Sequence, residues 1–428
     1  MRKIALALTL VLCACVGAPS PVPTPAPSPT EPVLTPSPAE TPAGGSKPQA
    51  PQRVGPAFLR AANSFALELI AQLGRQGGEG QNVFLSPANV AVALAMTTNG
   101  ARGETLRGML DALNMGDLDL EALNSNFAAL QALLEREDPG TTITIANALW
   151  ARAGVDFHAD FLQRTQRFYD ARIEALDFDR REAAATINDW VRRQTNDKIP
   201  NIVESIPPET ILFLTSAIYF NGKWEKPFNP EFTQDRPFYL LDGSAKPTPT
   251  MYRMDDMEYL KGEGFQAVRL PYAGGGVRMV IILPDADQTL AQFVDQLNIE
   301  NWERWREQFA VKEGQLYLPR FTTRYDAQLN EALRGMGMAV AFDSSQADFS
   351  GMRPVPPNIF ISQVRHVAYV DVNEAGTEAA AATSVEMGIT SAMPTEEPFV
   401  MQVDRPFFFA IEETSTGSLL FTSLIFAP

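Results

Sequence analysis

The stretch "NEAGTEAAAATSVEMGITSAMPTEEP", Asn373 to Pro398, constrains this chain most, because it sets the smallest side chains between two runs that read as strands. Before it, "VRHVAYVDV" (Val364 to Val372) alternates β-formers at period two, and after it "RPFFFAIEE" does much the same. Written at period two from Thr377, one face receives Thr377, Ala379, Ala381, Thr383, Val385, Met387 and Ile389. The other receives Glu378, Ala380, Ala382, Ser384, Glu386, Gly388 and Thr390. One face is small or apolar and the other small or polar. A short helix is the competing reading, since "TEAAAA" has high helix propensity. Yet Gly376 and Gly388 confine the run and no apolar stripe at 3.6 spacing emerges, so a helix here has nothing to bury. The pattern suits a segment that waits as an exposed loop and later enters a sheet beneath covering helices, an entry that bulky leading side chains would block. The hydrogen bonds and burial gained on entry are of the same order as the backbone entropy lost, so a strongly downhill insertion must draw on strain stored in the uninserted fold.

The rest of the chain supplies the sheet. After a first amphipathic helix in "GPAFLRAANSFALELIAQLG", with Gly74 as its stop, "NVFLSPANVAVALAMTTNGA" gives a short strand and a helix begun near Ser86-Pro87 that is apolar nearly all round, as a buried helix must be. "TITIANALWA", "ILFLTSAIYFNGKW", "QAVRLPY", "VRMVIILPD" and "GQLYLPRF" read as strands, several without polar alternation and therefore buried on both faces. "EAAATINDWVRRQTN", with Ile187, Trp190 and Val191 on one face, and "YDAQLNEALRGMG" read as helices. With no internal repeat and no second linker, the economical reading is one large α+β domain over residues 57–428, which a composition 45% hydrophobic and 20% charged can give a core.

The N-terminal residues read as an address. Arg2 and Lys3 precede the apolar "IALALTLVL", too short for a stable membrane span, and Leu12-Cys13-Ala14-Cys15 resembles a bacterial lipobox, in which cleavage before Cys15 lets that residue carry lipid. A plain secretory signal cut near Ala18, leaving a freely extracellular protein, is the alternative. Residues 1–15 are thus read as a lipoprotein signal peptide. Residues 16–56, with thirteen prolines from Pro19 to Pro56, are read as an extended tether rather than a ligand for proline-binding modules. Both cysteines lie in the leader, so the domain has no disulfide and its stability rests on packing.

An enzyme is hard to build from these residues. The only histidines are His158 and His366, and the motifs of a nucleophile elbow, a phosphate loop and a zinc protease are all missing from the sequence. His158 reads as a loop or cap residue, whereas His366 interrupts a strand that otherwise looks buried and so needs polar partners inside the sheet. A net charge of -16 with no Lys/Arg-rich run argues against nucleic acid, a heparin-like polyanion or an acidic lipid surface as partners. No cofactor and no metal is expected.

"VDVNEAGTEAAAATS" resembles the hinge of a serpin's reactive-centre loop. The resemblance runs over about residues 56 to 428, through "NVFLSPANVAVALAMTTNGARGET", "ITIANALW", "AIYFNGKWEKPF", "VRLPYAGG", "MVIILPD", "MGMAVAFDSSQADFSGM", "ISQVRHVAYVDVNEAGTEAAAAT" and "DRPFFFAIEETSTGSLLF", in that order. It implies an α+β serpin fold of three β-sheets and about nine helices with an exposed loop and a metastable native state. It also implies a function: an irreversible suicide-substrate inhibitor of serine, or else cysteine, proteases. The target forms a covalent acyl-enzyme on the loop, and the cut loop then inserts into the central sheet and carries the target to the far pole, where its active site is distorted.

Carried over position by position, Glu374, Gly376, Thr377, Glu378, Ala379, Ala380, Ala381 and Ala382 belong to the hinge, with Thr377 the first side chain to enter. Glu374 would pair with Arg320, and Trp224 would lie with them at the top of the sheet, where insertion begins. Ser86, Asn188 and His366 match the polar shutter beneath the sheet, and Asn89 stands where the family usually has a second serine. The family's hinge length places the reactive bond at Thr390-Ser391. The stretch from Gly376 to Pro406 is several residues longer than expected, which keeps neighbouring bonds in play, although Met393 is disfavoured by Pro394. No Lys or Arg occurs between Arg365 and Arg405, against trypsin-like targets, and Ile389 to Ala392 suit elastase-like or subtilisin-like pockets. The expected partner is the target protease alone, met by a monomer that touches a membrane only through its lipid. A non-inhibitory serpin whose loop is cut as plain substrate is the runner-up, and a stalked adhesin or enzyme the third reading. Thr377, Ala379 and Ala381 disfavour the runner-up, which prolines or large charges at inward positions would mark.

Overall fold

The computed structural model describes residues 54–76, 80–135, 138–208, 210–356, 358–377 and 397–428. The leader with Cys15, nearly all of the expected tether, and Glu378, Ala379, Ala380, Ala381, Ala382, Thr390 and Ser391 lie outside the described residues.

Among the described residues there are nine α-helices: α1 (Pro56–Gln76), α2 (Pro87–Thr98), α3 (Gly103–Ala112), α4 (Leu120–Leu134), α5 (Ala159–Tyr169), α6 (Arg181–Gln194), α7 (Leu290–Val294), α8 (Ile299–Gln308) and α9 (Asn330–Leu333). The strands are β1 (Val83–Leu85), β2 (Thr141–Arg152), β3 (Arg172–Leu176), β4 (Leu212–Lys223), β5 (Gln234–Tyr239), β6 (Ala245–Gly262), β7 (Phe265–Pro271), β8 (Val277–Pro284), β9 (Ala310–Pro319), β10 (Phe321–Gln328), β11 (Arg365–Asn373), β12 (Gly376–Thr377), β13 (Phe399–Gln402), β14 (Phe407–Glu413) and β15 (Leu419–Ile425).

One sheet has six strands in the order β10-β11-β12-β4-β2-β3. The other ladder has nine, and the long β6 divides it in two. The stretch of β6 from Ala245 to Tyr259 pairs with β5 and β9, with β13 beyond. Its last residues, from Glu258, pair with β7, which leads through β8, β14 and β15 to β1. That makes three sheets. α2 lies in the main core against β4 and β15, and its burial on nearly every side explains a sequence with no polar face. Ser86 caps it, its side chain accepting from the Asn89 N–H, and Pro87 fills the first helical position.

The six-stranded sheet is covered on both faces. Ile218 and Phe220 of β4 and Ala368, Val370 and Val372 of β11 join the main core. Ala217 of β4 and Val367 of β11 point the other way, into a second cluster with Ile187, Trp190 and Val191 of α6. This is why these strands carry so little polar alternation.

Two local expectations give way. The first helix does not stop at Gly74 but runs on to Gln76, and Gly74 is a packing residue, since a Cβ there would lie 2.7 Å from Leu424 Cδ1. In "YDAQLNEALRGMG" the residues Tyr325–Gln328 are strand, paired with Arg365–Ala368 of β11, and the helix α9 begins only at Asn330. Sheet pairing overrides the helical spacing of those side chains.

Candidate functional site: the sheet opening at the hinge

The two residues of β12 sit between β11 and β4, antiparallel to both. Gly376 faces Asn373 and Lys223, and Thr377 faces Val372 and Gly222. The start of the small-residue segment is therefore already part of the six-stranded sheet. Thr377 is almost fully buried and points toward the main core, where its Oγ1 and the Tyr272 hydroxyl share a hydrogen bond of 2.6 Å. Burial pushes the Tyr272 phenol up, against the lowering effect of the Thr377 contact, so it stays protonated and able to donate.

Gly376 fits because it has no side chain. Its φ is +154°, and a Cβ there would lie 2.0 Å from the Gly222 carbonyl oxygen and 2.7 Å from Lys223 Cα. The turn before it is held by main-chain bonds, from Trp224 N–H to Ala375 O (3.0 Å) and from Phe228 N–H to Glu374 O (2.9 Å). Trp224 Nε1 donates to Asn373 O at 2.9 Å, and its ring stacks on Tyr272 with centroids 4.5 Å apart. The Glu374 carboxylate accepts from Thr233 Oγ1 at 2.7 Å and lies 3.5 Å from Arg320 Nε. Arg320 is half exposed, so its charge adds little energy and the Thr233 bond does more to fix the carboxylate.

Farther down β11, His366 faces the main core. Its Nε2 accepts the Ser86 N–H at 3.1 Å, which puts the ring proton on Nδ1. Ser86 Oγ donates to Leu420 O at 2.7 Å and accepts from the Asn89 N–H at 3.3 Å. Burial holds the imidazole neutral, pushed down to about 4, with Asp326 opposing weakly. Ser86, Asn89 and His366 are thus brought together, whereas Asn188 stands apart. It lies on α6, across the sheet, where its amide donates to Val203 O and accepts from the N–H groups of Ile202 and Val203. The sheet itself separates it from the other three. His158 precedes α5, where its N–H donates to Met352 O.

Sequence reasoning assigned no role to Tyr272 or Thr233. Tyr272 lies inside the quoted "VRLPYAGG", but its partner Thr377 is 105 residues away, and nothing local marks that pairing. Among the described residues no group of three or more His, Cys, Asp or Glu could hold a metal ion.

Residues 60–428 match the family model of the serpins, described as serine protease inhibitors. The chain is 37% identical to the leukocyte elastase inhibitor of Bos taurus over 86% of its length and 99% of that protein, and 35% identical to that of Homo sapiens over the same shares. Among solved structures it is similar to the native state of tengpin, a thermophilic serpin, with a TM-score of 0.81 and 30% identity over 88% of this chain and 95% of that one. The three sheets, the nine helices and the family match agree: the chain belongs to the serpin family of serine protease inhibitors.

Proposed function

We propose that this serpin is a suicide-substrate inhibitor of elastase-like serine proteases, acting by insertion of its cut loop between β11 and β4. The observation that carries the reading is the placement of Gly376 and Thr377, which hold the first two positions of the inserted strand with pairing on both sides. The residues that follow at inward positions, Ala379 and Ala381, are small enough to enter the face of the sheet that packs on the main core. The named elastase inhibitors among its relatives and the small, uncharged residues from Ile389 to Ala392 favour an elastase-like target, and subtilisin-like pockets would accept the same residues.

In the covalent step the protease's serine oxygen attacks the carbonyl carbon at the reactive bond, taken as Thr390-Ser391. The peptide bond breaks, an ester to the Thr390 acyl group forms, and the amine of Ser391 leaves with the proton relayed by the protease. Insertion then competes with hydrolysis of that ester. A lipid on Cys15 and the proline-rich tether would hold the domain at a bacterial envelope.

Mixing the protein with pancreatic elastase and running denaturing electrophoresis tests the reading. An SDS-resistant band at the summed mass is the expected outcome, and clean cleavage without it refutes inhibition. Mass spectrometry of the released fragment fixes the cut. Loss of labelled palmitate on Cys15→Ser tests the anchor.

A further inference from the structure

The part of the nine-stranded ladder built from β5, β6, β9 and β13 packs one face on the body, where Met251, Leu316, Leu318 and Met401 are fully buried. The other face looks outward and carries two rows of cross-strand neighbours: Tyr252 beside Tyr317, and Met254 beside Gln315 with Val400 beyond it. Met254 is 49% and Val400 48% exposed, which is unusual for apolar side chains set side by side. Phe232, 40% exposed, extends the aromatic row with its ring 6.2 Å from that of Tyr252. A third row is acidic, because Asp256 of β6 stands directly opposite Glu313 of β9. Like charges in that position weaken a sheet, and among the described residues neither carboxylate has an ion-pair partner. The nearby Lys226 is engaged by Asp255.

We propose that this outward face is a docking surface for the target protease, and that it fits an enzyme with a basic, partly apolar rim around its cleft; the inference rests on the inhibitory reading above. Its place argues for that occupant. The face lies between the two ends of the segment that carries the proposed reactive bond. At one end Thr233, next to Phe232, donates through Oγ1 to Glu374 of the hinge. At the other end β13 follows the segment directly and sets Val400 on the face, ten residues after Thr390. An enzyme that holds the segment is therefore held over this face.

The chemistry agrees with the place. Asp256 and Glu313 keep a charge repulsion that the sheet itself gains nothing from, and a lysine or arginine on a partner relieves it. On a chain of net charge -16 they add to a potential that draws in a basic enzyme and fades as salt rises. Met254 and Val400 give the contact its apolar centre, and the unbranched Met254 side chain adapts to an imperfectly matched surface. A second copy of this chain fits poorly, because a two-fold contact would set the same unpaired acids against one another. Recognition is thus divided: the residues at the cut suit the protease's pocket, and this face selects among enzymes that share the pocket by the charge of their rims.

The test measures association rates with a basic elastase, and the Kd for the same elastase with its catalytic serine changed to alanine, which binds without cutting. The chains compared are the wild type, Met254→Ala, the double variant Asp256→Asn with Glu313→Gln, and a control, Asp117→Asn with Asp156→Asn. The control removes the same charge from the exposed connections before α4 and α5. At low salt the Asp256/Glu313 variant should associate about 5- to 10-fold more slowly than the wild type, with the control unchanged and the difference gone near 1 M NaCl. Its melting temperature should equal or exceed that of the wild type, since a repulsion has been removed. Met254→Ala should weaken the Kd about 5-fold. The number of inhibitor molecules consumed per protease should stay the same throughout. If both variants match the wild type in rate and Kd at low salt, the face is wrong while inhibition stands. A change in that consumption without a change in rate also overturns the face, because it places these residues in insertion rather than in encounter. A wild type that sediments as a dimer and a Met254→Ala variant that sediments as a monomer would give the face to a second copy instead. If the wild type forms no SDS-resistant complex, the inhibitory reading fails and takes this inference with it.

Discussion

Replacing Gly376 by alanine should push the hinge out of the sheet. The added Cβ would sit 2.0 Å from the Gly222 carbonyl oxygen and 2.7 Å from Lys223 Cα, and both are backbone atoms of a strand paired on its other edge with β2, so neither can swing aside. The backbone at φ +154° is itself a conformation that L side chains rarely adopt. The cheapest relief is for Gly376 and Thr377 to leave β11 and β4. That forfeits the short two-sided ladder and the Thr377–Tyr272 bond, three or four hydrogen bonds at a net of about 1 kcal/mol each, or about 3 to 4 kcal/mol. Trp224, buried and bonded through Nε1 to Asn373 O, would gain access to water. The uncut variant should melt several degrees below the wild type and show red-shifted tryptophan emission. The cut loop must pass the same point to insert, so more inhibitor molecules should be consumed per protease trapped. A Gly376→Ala protein that melts with the wild type and traps elastase one for one would refute the steric reasoning.

Two further outcomes follow from buried charges. His366 is neutral in the fold, pushed down to about 4, and titrates near 6.5 when unfolded, so its contribution is complete above about pH 7 and is lost as the pH falls from 6.5 to 4, by about 3 kcal/mol. His366→Gln, which can still accept the Ser86 N–H, should flatten that part of the unfolding midpoint's pH profile, and an unchanged profile would contradict the assignment. Glu412 on β14 is fully buried, with Arg278 Nε at 2.6 Å, Arg306 Nε at 3.3 Å and Arg269 Nε at 3.7 Å. Burial pushes Arg269 down to about 10 even with that carboxylate beside it. Glu412→Ala should therefore cost about 3 to 5 kcal/mol in urea unfolding, and a loss under about 1 would mean that the arginines reach water.

Much of this architecture is legible in the sequence where the cause is local. The apolar runs of β4 and β11 announce a sheet covered on both faces, and Ser86-Pro87 announces the start of α2, because burial and capping are written in neighbouring residues. Gly376-Thr377 marks the start of β12 for the same reason. What local pattern cannot carry is pairing over distance. Tyr325–Gln328 has helical spacing and becomes strand because β11 lies beside it, and Gly74 looks like a stop until Leu424 is seen against it. Likewise Asn188 has the composition of a shutter residue, but α6 lies on the far side of the sheet from Ser86.

The strands β14 and β15 run through the centre of the molecule, and every residue in both is buried. They lie downstream of the bond proposed to be cut, so a nick there would sever them from the covalent backbone of the body without freeing them from it. The two pieces would co-elute as a single particle under native conditions and part company only in detergent or denaturant. A cut there would therefore leave a severed backbone held together by packing rather than a shed peptide.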